Sequence, residues 1–135
     1  MKLKKIILEV INEYKNKYKT KPDGFISQWP NKFYLLGWYN KLLKNGYQQS
    51  HIHPGGWLSG CFYIKMPKLL KKGEGAINFS LHGYDYYITN SDIPNYQYSP
   101  VEGDLILFPS SLFHKTLPFS SNDERHVIAF DIIPK

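Results

Sequence analysis

The sequence predicts a mainly-β domain, a sandwich or barrel of about eight short strands, led by one amphipathic helix. Two observations carry this. From residue 33 onward, short extended runs alternate with clusters of turn residues, whereas the clear helical periodicity is confined to the first twenty residues. The 135 residues suffice for one buried core and not for two. A hydrophobic share of 42% with 16% aromatics places the chain among globular proteins and excludes disorder.

Taken in order, Leu3, Ile6, Ile7, Val10, Ile11, Tyr14 and Tyr18 recur at helical spacing, with Lys4, Lys5, Glu9, Asn12, Glu13 and Asn16 opposite them. This predicts about four turns of helix, ended near Thr20 by the cluster Pro22, Asp23, Gly24. Its apolar stripe needs a partner, and the outer face of a sheet is the expected one. A linker through Trp29 and Pro30 follows. Strands are then expected at about 33–43, 47–52, 57–66, 75–80, 96–99, 104–108, 113–118 and 124–132. They are bounded by Asn45 and Gly46, by Pro54 to Gly56, by Gly73 and Gly75, and by Gly103. The organisation expected is a helix and linker over 1–24 and a β domain over 25–135, forming one compact domain. Between the fourth and fifth strands, Leu81 to Gln97 is a long loop rich in tyrosines (Tyr84, Tyr86, Tyr87, Tyr96). It is either a lip over a site or a segment packed onto the sheet edge.

Charge and cysteine content narrow the function classes. Up to Pro22 there are seven lysines against Glu9 and Glu13, a net of +5, so one segment holds nearly all of the chain's +6. A lysine-rich helix is read as a solvated face, and nucleic acid is not an expected partner. The single cysteine, Cys61, excludes an internal disulfide framework and suits a reducing cytoplasm, the expected location. The opening MKLKKIILEV is interrupted at Glu9, too early for a signal peptide, and no run approaches a membrane span.

The chemistry centres on YQQSHIHPGGWLSGCFYIKMP, residues 47–67. Alternation in an extended segment puts Tyr47, Gln49, His51 and His53 on one face, where two imidazoles can close on one metal ion. A third histidine, His114, follows the apolar run 105–109. Eleven residues later, Arg125 opens the last strand, where residues 125, 127, 129 and 131 share a face. An arginine pointing inward there, beside Val127 and Ala129, demands an anion; pairing with Asp123 or Glu124 at the surface is the alternative. Tyr63 shares a face with Ser59 and Cys61. His82 and His126 are read as surface or packing residues.

The segments HIHPGGWLSGCFYIKMP, EGDLILFPSSLFHKTLPFSS and DERHVIAFDIIP, in that order, resemble the iron(II)- and 2-oxoglutarate-dependent oxygenases, in particular the branch whose domain often ends tetratricopeptide-repeat proteins. The resemblance covers roughly Leu35 to Pro134. It sharpens the expected sandwich or barrel to a double-stranded β-helix, or jelly roll. It also implies iron(II) held by His51, His53 and His114, and 2-oxoglutarate as cosubstrate, anchored through its distal carboxylate by Arg125 with help from Tyr63. No catalytic residue beyond the metal ligands is implied. The implied activity is a dioxygenase that couples oxidative decarboxylation of 2-oxoglutarate to hydroxylation of a C–H bond. Its partners are then 2-oxoglutarate, O2 and a substrate of open identity, a small molecule or a protein side chain.

Two departures stand out. Better-known members carry a carboxylate where this chain has His53, and a neutral imidazole weakens the charge balance at iron(II), shifting it towards the dianionic cosubstrate. They also carry a hydroxyl residue where this chain has Val127, which removes a hydrogen bond worth about 1 kcal/mol. Two alternatives stay open: a three-histidine dioxygenase of the cupin type that uses no 2-oxoglutarate, and a non-catalytic jelly-roll binding module. The helix stripe or a free sheet edge could serve a homodimer.

Overall fold

Among the described residues eight strands form, the number that the turn spacing predicts, and they build two four-stranded antiparallel sheets. In the computed structural model, which describes residues 2–21, 24–84 and 92–135, the chain divides into two compact units, Met1–Lys32 and Phe33–Lys135. The first holds α1 (Lys2–Tyr18) and the short α2 (Gly24–Ser27). Lys15 and Lys17 in the last turn of α1 suit the negative end of the helix dipole. Beyond it, the Trp29 ring meets Tyr14 at 6.4 Å and Phe25 edge-on at 6.0 Å. Of the expected stop cluster, Pro22 and Asp23 lie outside the described residues, as do Tyr86 and Tyr87 of the tyrosine-rich loop.

The second unit contains β1 (Phe33–Leu42), β2 (Gln48–His51), β3 (Leu58–Lys65), β4 (Ile77–Ser80), β5 (Asn95–Tyr98), β6 (Leu105–Pro109), β7 (Phe113–Thr116) and β8 (Arg125–Pro134). One sheet runs β1-β8-β3-β6 and the other β2-β7-β4-β5. Successive strands swap sheets except at the β4–β5 step, which is jelly-roll connectivity. Turn chemistry holds the swaps in place. Asn45 and Gly103 adopt positive φ (63° and 91°), and the Asp104 carboxylate after the second turn accepts from Val101 N–H at 2.8 Å and Tyr98 O–H at 2.9 Å.

Alternation on the long strands fills the interior. On β3, Ser59, Cys61 and Tyr63 face inward; on β8, Arg125, Val127, Ala129 and Asp131 do so. Register sets them opposite one another: Ser59 against Asp131, Cys61 against Ala129, Tyr63 against Val127. Tyr63, Met66 and Val127 form a core cluster with Cys61, Leu70 and Ile106 packed on it. On the reverse face Gly60 lies under Phe130, so close that a Cβ would sit 2.3 Å from the ring.

One expectation is corrected. Tyr47 and Gln49 do not share the inward face of His51. Between the pairs Gln48–Thr116 and His51–His114 the register slips, three residues of β2 spanning two of β7. A bulge of this kind turns Gln48 inward instead, and its side-chain Oε1 accepts from Thr116 Oγ1 at 3.2 Å. Tyr47 is exposed.

Candidate metal and anion site

Two of the three candidate histidines are a directly opposed cross-strand pair. His51 on β2 and His114 on β7 face each other in the ladder, with ring centroids 4.3 Å apart. His53 comes two residues later, beyond the end of β2, so strand geometry alone does not aim it. Its backbone N–H donates to Ser110 O at 2.9 Å, and Gly56 N–H closes the following turn onto His53 O at 2.9 Å. Glycine is required at 56, where a Cβ would fall 2.4 Å from Ser110 Oγ. The His53 ring stacks beside His51 at 5.2 Å and meets His114 at 5.0 Å.

The imidazole nitrogens available for coordination lie within 4.8 Å of one another. Each Nδ1 is already engaged: that of His51 with Gln49 O at 2.7 Å, that of His114 with Leu112 O at 3.0 Å, and that of His53 with Asp131 Oδ1 at 2.7 Å. An acceptor at every Nδ1 fixes the proton there and leaves Nε2 as the free lone pair. Burial, opposed by the Leu112 hydrogen bond and aided by the two neighbouring rings, brings the pKa of His114 down to about 4. Near pH 7 that imidazole is neutral, the form a metal needs. The donor set therefore fits a divalent transition metal.

The same narrow cavity, about 50 Å³, is lined by the three histidines and by Trp38, Asn40, Gln48, Thr116, Val127 and Arg125. Arg125 is 2% exposed. The surface pairing with Asp123 or Glu124 does not form, because Asp123 bonds Lys65 at 2.5 Å and Glu124 bonds Lys41 at 2.6 Å and His126 at 2.8 Å. The guanidinium instead lies 5.1 Å over the Tyr63 ring. Arg125 Nε and Tyr63 Oη are both buried without a hydrogen-bond partner among the described residues. Tyr63 and Arg125 couple electrostatically, each acting on the other's proton affinity. Burial pulls the Arg125 pKa below the usual arginine value and pushes the Tyr63 phenol up. A buried arginine with no acid beside it costs several kcal/mol, on the order of what one well-placed anion restores. Two unfilled donors, a planar fork and an aromatic floor make a cradle for a carboxylate.

Cys61, on the same face as Tyr63, has its thiol pushed up to about 12 by burial, with Arg125 opposing and Asp131 adding to the shift. It is a packing residue and not a nucleophile. His126 sits on the other face of β8, bonded to Tyr39 Oη at 2.7 Å and to Glu124. The sequence reading sets Asp131 and Ser59 on the faces of Arg125 and Tyr63 without giving them a role, and does not include Ser110. Asp131, Ser59 and Ser110 are buried together, with Ser59 Oγ donating to Asp131 Oδ1 at 2.6 Å and lying 2.8 Å from Ser110 Oγ. An acidic residue within the apolar run VIAFDII, on the face of Arg125, is the one signal that marks them in the sequence.

Comparisons with known proteins bear on the family and the fold. The family model described as "Putative 2OG-Fe(II) oxygenase" matches residues 37–131. Among solved structures, the fold is similar to a prolyl-4-hydroxylase from Pseudomonas putida (TM-score 0.56, 15% identity, covering 75% of this chain and 52% of that one). It is also similar to a 2OG-Fe(II) oxygenase family oxidoreductase from Burkholderia pseudomallei (TM-score 0.57, 14% identity, 76% and 45%). A third, HygX from Streptomyces hygroscopicus with iron bound, gives a TM-score of 0.50 at 13% identity, covering 77% and 59%. The chain thus spans about half the length of these structures. No curated protein matches the sequence. At these identities the structures establish the double-stranded β-helix fold, while the family model covers most of the chain from Gly37 to Asp131. The chain belongs to the 2OG-Fe(II) oxygenase family that this model describes.

Proposed function

We propose that the chain is an iron(II)- and 2-oxoglutarate-dependent dioxygenase that hydroxylates a C–H bond. His51, His53 and His114 are its metal ligands, through Nε2. Arg125 is the anchor for the distal carboxylate of 2-oxoglutarate, with Tyr63 Oη as a second donor. The observation that carries this reading is a buried guanidinium without an acid partner, in one cavity with three converging imidazoles.

Bound iron and 2-oxoglutarate would supply the oxidising chemistry, with cosubstrate decarboxylation to succinate and CO2 coupled to insertion of one oxygen atom from O2 into the substrate C–H bond. The protein's residues do the rest. The three Nδ1 hydrogen bonds hold the imidazole tautomers, so that every Nε2 lone pair faces inward. Arg125 offers planar, permanently charged donors that suit a carboxylate better than a lysine would. Ile77, Phe108, Trp38 and Val127 wall the cavity with apolar surface, which excludes water and strengthens each charge contact.

Formation of succinate from 2-oxoglutarate in air, dependent on added iron(II), tests the reading. Wild type is expected to form succinate, His51→Ala to form none, and Arg125→Ala to need at least tenfold more 2-oxoglutarate. The third imidazole, in place of a carboxylate, favours a second reading: a cupin-type dioxygenase without 2-oxoglutarate. In that case Arg125→Ala would leave metal-dependent oxygen consumption unchanged.

A further inference from the structure

We propose that Asp131 is a positioning residue for the metal centre, supplying through His53 the negative charge that a three-imidazole ligand set lacks. This rests on the metal-binding reading of His51, His53 and His114 and deepens it. The three histidines differ in what holds their rings. His51 and His114 each turn Nδ1 to a carbonyl two residues back on their own segment, Gln49 O and Leu112 O. His53 alone turns it to a carboxylate, from β8 in the other sheet and 78 residues away. A carbonyl fixes a tautomer. A carboxylate fixes the tautomer and also draws the Nδ1 proton, which makes Nε2 a stronger and more negative donor.

The surroundings of Asp131 suit that task. The residue is 5% exposed, and among the described residues its ion-pair partner is His53. Ser59 Oγ donates to the same Oδ1 at 2.6 Å and lies 3.2 Å from His53 Nδ1, so hydroxyl, carboxylate and imidazole form one triangle. Ser110 stands behind Ser59 at 2.8 Å, and its backbone carbonyl accepts the His53 N–H. Ring and backbone of His53 are therefore fixed by one connected group of buried residues. The register that pairs Ser59 with Asp131 across β3 and β8 sets this group beside the turn that carries His53. The carboxylate missing from the ligand set stands one hydrogen bond away from it.

The test compares the full chain in wild type, Asp131→Asn and Ser59→Ala, with His51→Ala as control. Cobalt(II) affinity is read by competition with a chromophoric chelator, and the cobalt absorption band and the melting of the metal-free protein are recorded alongside. Asn keeps the shape but not the charge. The expected result is about 10–100-fold weaker cobalt binding in Asp131→Asn, a shifted band, and a smaller loss in Ser59→Ala. Wild type needs no variant for one further check. In the metal-free protein at pH 8, a long-range proton–nitrogen NMR spectrum is expected to show the His53 proton on Nδ1, and a proton on Nε2 overturns the proposal even if Asp131→Asn fails to fold. Equal cobalt affinity and an unshifted band in folded Asp131→Asn also overturn it, while leaving the metal site intact. Wild type that binds cobalt no better than His51→Ala overturns the metal reading itself, and this proposal with it.

Discussion

His114 shows how one buried side chain would tie stability to the proposed metal site. Its imidazole is neutral because burial makes protonation costly, and neutrality is what a metal ligand requires. The cost appears in the metal-free protein. An unfolded chain takes up the proton below the ordinary value of 6.5, whereas the folded chain does so only below about 4. Stability from this residue is therefore complete above pH 6.5 and is lost as pH falls towards 4, by about 3 kcal/mol in all. Urea unfolding of the metal-free protein at pH 7.5 and 4.5 measures it. Wild type is expected to lose more stability than His114→Gln by roughly that amount, and identical losses would show that the side chain is not buried neutral. Arg125 is the complementary case, a charge kept in the interior without its counter-ion.

At the scale of elements, the site depends on where strands carry their side chains, and this is also where the sequence was readable or not. The alternation 125, 127, 129, 131 on β8 held because that strand pairs on both sides, with β1 and β3. The short β2 pairs only with β7 and contains a bulge, so the same rule misplaced Tyr47 and Gln49 and missed Gln48. His53 lines the cavity with His51, but a turn and the Ser110 hydrogen bond place it there rather than strand periodicity. The joining of Asp131, Ser59 and Ser110 was illegible, beyond the acidic residue in an apolar run, because the partners are 72 and 51 residues apart in sequence. Register also makes Gly60 indispensable. A methyl group there would meet the Phe130 ring at 2.3 Å and the Ile106 carbonyl oxygen at 2.8 Å. Gly60→Ala is expected to destabilise the protein by about 1–3 kcal/mol, read as a lowered urea midpoint; an unchanged midpoint would mean that β3 and β8 are less tightly packed than described.

For the whole molecule, charge is the organising quantity. The lysine-rich first 22 residues hold +5 of the total +6, which leaves the β unit close to neutral. Within that unit the candidate centre joins three imidazoles, one buried guanidinium and one buried carboxylate. A divalent metal and a dianionic cosubstrate would be mutually balancing there, so each is expected to favour binding of the other. No helix among the described residues is long and apolar enough to cross a membrane. The central claim is that metal and 2-oxoglutarate occupy one cavity, with Arg125 holding the far end of the cosubstrate. Anaerobic titration of iron(II)-loaded protein with 2-oxoglutarate measures this directly, through the visible charge-transfer band of the chelate. The expected result is a band that saturates in wild type and needs at least tenfold more 2-oxoglutarate in Arg125→Ala. Iron binding with no such band, or a band that develops identically in Arg125→Ala, would contradict the claim.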